Sequence, residues 1–344
     1  MSGGSIAIET CGLVTPLGLN AAATCAALRA GISNPTPTRF AGSAGEWICG
    51  HQVVLAAPWR GRAKLVQMAA MAVDECLQKF SLPQLAGLPI VLCVAEHERP
   101  GRLDGLEDKL LDELEAELDL RFDRSLSAIV AMGRAGVLLA LAQARSLMLN
   151  QHIPRVLLVA ADSMLLAPTL AAFERQDRLL SPDNSNGFMP GEGAGAVLVG
   201  VAPSSGSQLF CSGIGTGVEA ANLMSEEPLR ADGLGQAIRA ALKDAATGFE
   251  GIYCRITDLS GEQYYFKEAA LALSRTLRGH KETIDLWHPA QGVGEAGAAI
   301  GAVMLAVAEH AWRMDYNPGS KVLLHAGTDA ECRVAVVCER RERG

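Results

Sequence analysis

Residues 125–162, SLSAIVAMGRAGVLLALAQARSLMLNQHIPRVLLVAAD, constrain the fold more than any other part of this chain. After a small-residue turn that ends at Gly133, residues 134–150 carry Leu, Val, Ala and Met on every face, and the pattern predicts a helix buried all round. Such a helix needs sheet on both sides. Pro154 ends it, and RVLLVAA at 155–161 is a short apolar run of the kind found in fully buried strands. A turn, buried helix and strand in this order are where α/β enzymes place a nucleophile, because a helix N-terminus stabilises a thiolate or an oxyanion. Residues 128–136 hold no Cys, Ser or Thr for that role.

The rest of the chain supplies the sheets. Strands are expected at 5–11, 88–95, 196–201, 210–213, 251–259, 284–287, 321–326 and 333–338. Helices are expected at 21–30, 63–80, 103–118, 235–246 and 268–278, with 31–59 as loop. A second all-apolar helix opens in QGVGEAGAAIGAVMLA at 291–306, so that 135–149 and 296–308 should lie side by side between two mixed sheets. Its start, GEAG at 294–297, matches GRAG at 133–136, which points to an internal repeat with Arg134 and Glu295 at equivalent positions. A charged residue on an apolar helix needs a partner or water: the two either pair across the repeat axis or face a solvent-filled cleft.

With 344 residues, 49% hydrophobic content and 36 Gly, the chain is a large α/β protein and far from the composition of disorder. Its 38 acidic and 30 basic residues give a net charge of −8 with no long single-sign run, which argues against nucleic acid or a membrane surface as partner. Nine irregularly spaced Cys form neither a zinc nor a disulfide framework, so reduced thiols in a cytoplasmic protein, with no metal and no cofactor, are expected. No basic segment followed by an apolar stretch opens the sequence, and no run approaches the roughly 18 apolar residues of a membrane span.

Four motifs carry a resemblance: LVTPLG at 13–18, GFMPGEGAG at 187–195, IRAAL at 238–242, and the G-x-A-G helix starts. Together they make the chain similar to the β-ketoacyl-[acyl-carrier-protein] synthases of the thiolase superfamily, over essentially its whole length. The resemblance implies an αβαβα five-layer sandwich of two pseudo-symmetric halves, 1–203 and 204–344, and a homodimer. It also implies a Cys nucleophile at the first buried helix and two catalytic His from the second half.

Carried over residue by residue, these positions have lost their chemistry. The nucleophile position falls on Val130, whose isopropyl group cannot attack a thioester. The first His position falls on Asp258 in TDLSGE at 257–262, the second on Gln291, and the associated Lys on Leu286. The late glycine loop has become His325-Ala326-Gly327. Cys93 and Cys254 lie on apolar strands, where a thiol acts as a small hydrophobe. His288 and His325 fall near the expected site, and with Asp258 they offer the parts of a rebuilt acid/base centre. In the glycine loop Gly191, Gly193 and Gly195 permit close backbone approach, while Glu192 is expected to hold backbone N–H groups.

The resemblance thus implies a non-catalytic ketosynthase-like protein acting as a dimeric binding or assembly factor. Divergent proteins of this kind, some with a similar TDLxGE run, occur among accessory proteins of bacterial type VI secretion, which would make a secretion effector the partner. The alternatives are an acyltransferase of fatty acid or polyketide metabolism with a non-standard site, receiving substrate from an acyl carrier protein, or a partner subunit of an active synthase.

Overall fold

The computed structural model describes residues 4–43, 45–201 and 206–343. Its first half runs β1 (Ile6–Val14), α1 (Ala21–Arg29), β2 (Thr36–Ala41), β3 (Trp47–Gly50), α2 (Gly61–Leu77), α3 (Leu82–Leu85), β4 (Ile90–Val94), α4 (Leu110–Leu118), β5 (Ala128–Ala131), α5 (Gly136–Asn150), β6 (Arg155–Ser163), α6 (Ala167–Arg175) and β7 (Glu192–Gly200). The second runs β8 (Gly206–Val218), α7 (Asp232–Asp244), β9 (Cys254–Thr257), α8 (Gln263–Thr276), β10 (Asp285–Trp287), α9 (Ala290–Val293), α10 (Ile300–Arg313), β11 (Lys321–Gly327) and β12 (Cys332–Arg343). The boundary expected at 203/204 lies outside the described residues.

Strand pairing makes the repeat explicit. In the first half β1–β7 and β7–β6 are antiparallel, whereas β6–β4 and β4–β5 are parallel. In the second half β8–β12 and β12–β11 are antiparallel, whereas β11–β9 and β9–β10 are parallel. Two separate sheets are expected from the sequence, but β1 pairs on both edges and joins β8 from Ile6↔Cys211 to Ile8↔Leu209. The result is one ten-stranded sheet ordered β10-β9-β11-β12-β8-β1-β7-β6-β4-β5.

Because successive strand residues point to opposite faces, each strand contributes to two cores. Val156, Leu158 and Ala160 of β6 face the central core with α5 and α10, while Leu157, Val159 and Ala161 face α2 and α4. In the second half Leu324 and Val336 face the central helices, while Leu323 and Val337 face α7 and α8. The order of layers is helix, sheet half, central helices, sheet half, helix.

Three expectations change. Residues 31–59 contain the β2–β3 hairpin, in which Pro35, Pro37 and Gly42 mask the strand pattern. Only α10 is buried nearly all round, since α5 leaves Ser146, Leu149 and Asn150 exposed. The second buried helix does not open at 291: Gly294 (φ 72°) breaks the chain after α9, and a 3₁₀ turn at Gly297–Ala299 precedes α10. The break lets Glu295 pair by its backbone with the glycine-loop strand, its N–H donating to the Met189 carbonyl at 2.8 Å and its carbonyl accepting from Gly191 N–H at 3.0 Å.

Candidate functional site

Both central helices start from the same device, a 3₁₀ turn opened by a glycine in the left-handed region: Gly133 (φ 48°) before α5 and Gly297 (φ 53°) before α10. The structural repeat therefore aligns Gly133 with Gly297. The G-x-A-G match pairs Gly133 with Gly294, three residues off, so Arg134 and Glu295 are not equivalent; Arg134 corresponds to Ala298.

Each turn receives a carboxylate from a strand end. Asp162, at the end of β6, accepts the Ala298 N–H at 2.8 Å on Oδ2. Glu96, just past β4, lies against Gly133, where a Cβ would come 2.1 Å from its Oε2. Negative charge at a helix N-terminus is stabilised by the unpaired amides and the aligned peptide dipoles. Arg99 ties the two together, donating to both Glu96 oxygens at 2.5 and 2.6 Å and to Asp162 at 3.2 and 3.4 Å. Burial disfavours its charge, but the carboxylates of Asp162 and Glu96 raise its pKa above the ordinary guanidinium value.

Arg134 sits at the centre. Its Nη2 donates to Asp329 Oδ1 at 2.8 Å, Nη1 lies 3.5 Å from Glu295 Oε2, and Nε lies 3.8 Å from Asp258 Oδ2. Its guanidinium carbon stands 4.3 Å from the centroid of the Tyr265 ring, within the range of a cation–π contact. Asp329 is shared further: Oδ2 accepts from Arg178 at 2.6 Å and Oδ1 from the Tyr265 hydroxyl. Arg178 forms a bidentate pair with Glu262 at 2.8 and 2.9 Å, tying TDLSGE to the segment after α6.

Three guanidinium groups thus meet six carboxyl groups. The imbalance acts on the most buried acids: burial raises Glu295 to about 7 against the pull of Arg134 and the Ser260 hydroxyl. Burial likewise raises Asp258, opposed by Arg134 and the Gly327 N–H that it accepts at 3.0 Å. Asp329 goes the other way, because Arg134 and Arg178 outweigh its desolvation. The space left among these side chains is about 20 Å³, room for about one water molecule.

The other expected residues are distributed as follows. Val130 is half-buried on β5 and packs on the central core; Cys93 is its register partner on β4. Cys93 is fully buried against Gly136, and burial pushes its thiol well up, as it does for Cys254. His325 is buried beside Thr257, its Nε2 without a partner, and burial lowers its pKa to about 3. Gln291 and His288 do not line the Arg134 cavity; they line another one with Leu286, between β10 and α1. Their exclusion follows from the break at Gly294, which separates α9 from the turn that carries Glu295. Glu192 accepts the Val53 N–H and the Ser163 hydroxyl, each at 2.9 Å, and pairs with Lys64. Gly191, Gly193 and Gly195 let this strand press on the second buried segment: a Cβ on Gly191 would lie 2.2 Å from the Val293 carbonyl oxygen. Sequence reasoning misses Arg99, Asp162, Arg178, Tyr265 and Asp329. Asp162 alone carried a signal, as a lone charge ending an apolar strand. Among the described residues no group of three or more His, Cys, Asp and Glu could hold a metal ion, and no helix is long and apolar enough to cross a membrane.

No protein-family model and no curated protein matches the sequence. Solved structures do match by shape. A type II polyketide synthase complex of acyl carrier protein with its hexaketide-bound ketosynthase (AntDE:AntF) aligns over 97% of this chain and 98% of its own, with TM-score 0.79 and 16% identity. The ishigamide ketosynthase/chain length factor aligns over 98% and 99%, with TM-score 0.69 and 18% identity. The ketosynthase ApeO in complex with its chain length factor ApeC from Xenorhabdus doucetiae aligns over 97% and 98%, with TM-score 0.72 and 12% identity. The chain has the thiolase-like ketosynthase fold.

Proposed function

We propose that this chain is a non-catalytic ketosynthase-fold protein that serves as one subunit of a dimeric binding or assembly complex. The observation that carries the reading is the Arg134 cluster. By the family resemblance, the volume between the two helix starts would receive an acyl thioester, and here it is occupied by Arg134 and its carboxylate partners. Val130 supplies no nucleophile, and the neighbouring thiol of Cys93 is closed off and held protonated by its surroundings. Asp258, committed to the Gly327 N–H and to Arg134, replaces the imidazole that would donate to a developing oxyanion.

The dimeric part of the proposal rests on β5 and α5. β5 is the last strand of the sheet, its Ala-Ile-Val-Ala residues all half-buried, and Leu149 of the adjoining α5 is 47% exposed. An apolar edge strand left unpaired invites another chain. A stable interface here should bury about 2,000 Å² or more. The partner is a second copy of this chain or, as in the similar ishigamide and ApeO structures, which pair a ketosynthase with a chain length factor, a related subunit.

Intact-mass measurement after incubation with acyl-CoA and acyl-carrier thioesters tests the catalytic half. The wild type should gain no acyl adduct, and Val130→Cys should restore no condensation, since Asp258 and Arg134 remain. A stable adduct on the wild type, at Cys93, Cys254 or elsewhere, would overturn the proposal in favour of an acyltransferase.

A further inference from the structure

A cavity of about 320 Å³ lies on the opposite flank of the molecule from β5, bounded by the last turn of α1, the edge strand β10, α9 and α10. It falls at the small end of the roughly 300–1,000 Å³ typical of small-ligand sites. Its walls are apolar, made by Leu28, Leu286, Trp287 and Val307. Two features give it a chemical sense. The Arg29 guanidinium carbon stands over the Tyr316 ring, 4.1 Å from its centroid, and no carboxylate among the described residues pairs with it. Tyr316 is itself held by the His310 ring, 3.0 Å from its hydroxyl, so the Arg–Tyr pair is braced from behind. His288 lines the chamber beside the apolar wall, its ring at right angles to that of Phe266.

An apolar chamber with one guanidinium that no carboxylate pairs suits a ligand with an apolar body and a single negative charge. We propose that this cavity binds a small monocarboxylate, its acid group paired with Arg29 and its body laid against Leu28, Trp287 and Val307. The cation–π contact with Tyr316 restrains the guanidinium, so less side-chain entropy is lost when a carboxylate arrives. This site is independent of the Arg134 cluster and of whether the chain catalyses anything.

Titration calorimetry with 2-naphthoate and octanoate, and with 2-naphthamide as the uncharged control, tests it on the full chain. Saturable one-to-one binding of at least one acid is expected. Arg29→Gln should weaken the acid by about tenfold or more while leaving the amide unchanged, since a charge-assisted hydrogen bond is lost only for the acid. Trp287→Ala should weaken acid and amide together. Arg29 is exposed, so its replacement leaves folding intact, which circular dichroism checks. No saturable binding of either acid at millimolar concentration would overturn the proposal. So would acid binding that is indifferent to Arg29→Gln, or that falls equally for acid and amide.

Discussion

The two central helices begin alike and end in different surroundings. Both start from a left-handed glycine, a 3₁₀ turn and a strand-end carboxylate, yet α10 is buried almost throughout while α5 opens on one side along its last two turns. The difference lies in what flanks them. Leu17, Ala21, Cys25 and Leu28, on and just before α1, pack onto the core around α10, and α1 itself begins from the Asn20 cap on the Ala23 N–H. No element among the described residues plays that part for α5 and β5. A fold built from two copies of one unit thus uses α1 to close one copy and leaves the other open along one side. The gap that remains between α1 and β10 is the Arg29 cavity.

Four experiments break or sharpen this contrast. The largest effect is expected at the open flank: Leu139→Glu with Leu149→Lys should convert the dimer to monomer in light scattering, whereas Met314→Asp, exposed on the closed flank, should leave assembly unchanged. A monomeric wild type at micromolar concentration would end the dimer proposal. Next, Arg134→Met removes the cation that Asp258, Glu295 and Asp329 share and should cost about 3–5 kcal/mol in denaturant unfolding, because uncompensated carboxyl groups stay buried. A loss below 1 kcal/mol would mean that water already screens the cluster.

Smaller effects separate the two helix starts. Gly297→Ala should destabilise by about 1–3 kcal/mol and more than Gly133→Ala. The new methyl on residue 297 meets the body of Asp162 (Oδ2 at 2.0, Cγ at 2.6, Cβ at 3.1 Å), whereas on residue 133 it meets the far ends of two longer side chains, the Glu96 carboxyl (Oε2 at 2.1 Å) and Arg99 Nη2 at 3.4 Å. Equal losses would show that backbone strain alone matters. Last, Glu295 is raised to about 7 from an ordinary 4.5 and therefore binds more proton in the folded than in the unfolded chain between those values. Its contribution is present at the acid end of that window and is lost as pH rises through about 7, with a limiting slope of about 1.4 kcal/mol per pH unit. Glu268, raised by burial to about 7 beside Arg333, adds a slope of the same sign. Glu295→Gln should flatten the profile measured by urea unfolding between pH 5 and 7 without abolishing the Glu268 part.

Much of the architecture was legible from short patterns. RVLLVAA after Pro154 reads as a buried strand and forms one, and the two all-apolar runs become the central helices. The repeat was legible in kind but misaligned by three residues, because GRAG and GEAG are alike as strings while φ decides which glycine opens the turn. The site was legible only in part. Val130 and Asp258 could be assigned from motif resemblance, and Asp258 does lie beside Arg134, but Gln291 and His288 were drawn away by the break at Gly294.

What the sequence determines by itself is local and periodic: which runs are apolar on one face or on all, where Pro and Gly interrupt them, and which reactive side chains are missing from a given run. What only the tertiary structure decides is which distant charges share one buried space. Arg99, Arg178 and Asp329 are each unremarkable in their own segments, and the lone charges Arg134 and Asp162 show only that each needs a partner, not which one. Electrostatic pairing in a desolvated interior depends on separations of a few ångströms, and no spacing along the chain encodes the 195 positions that separate Arg134 from Asp329.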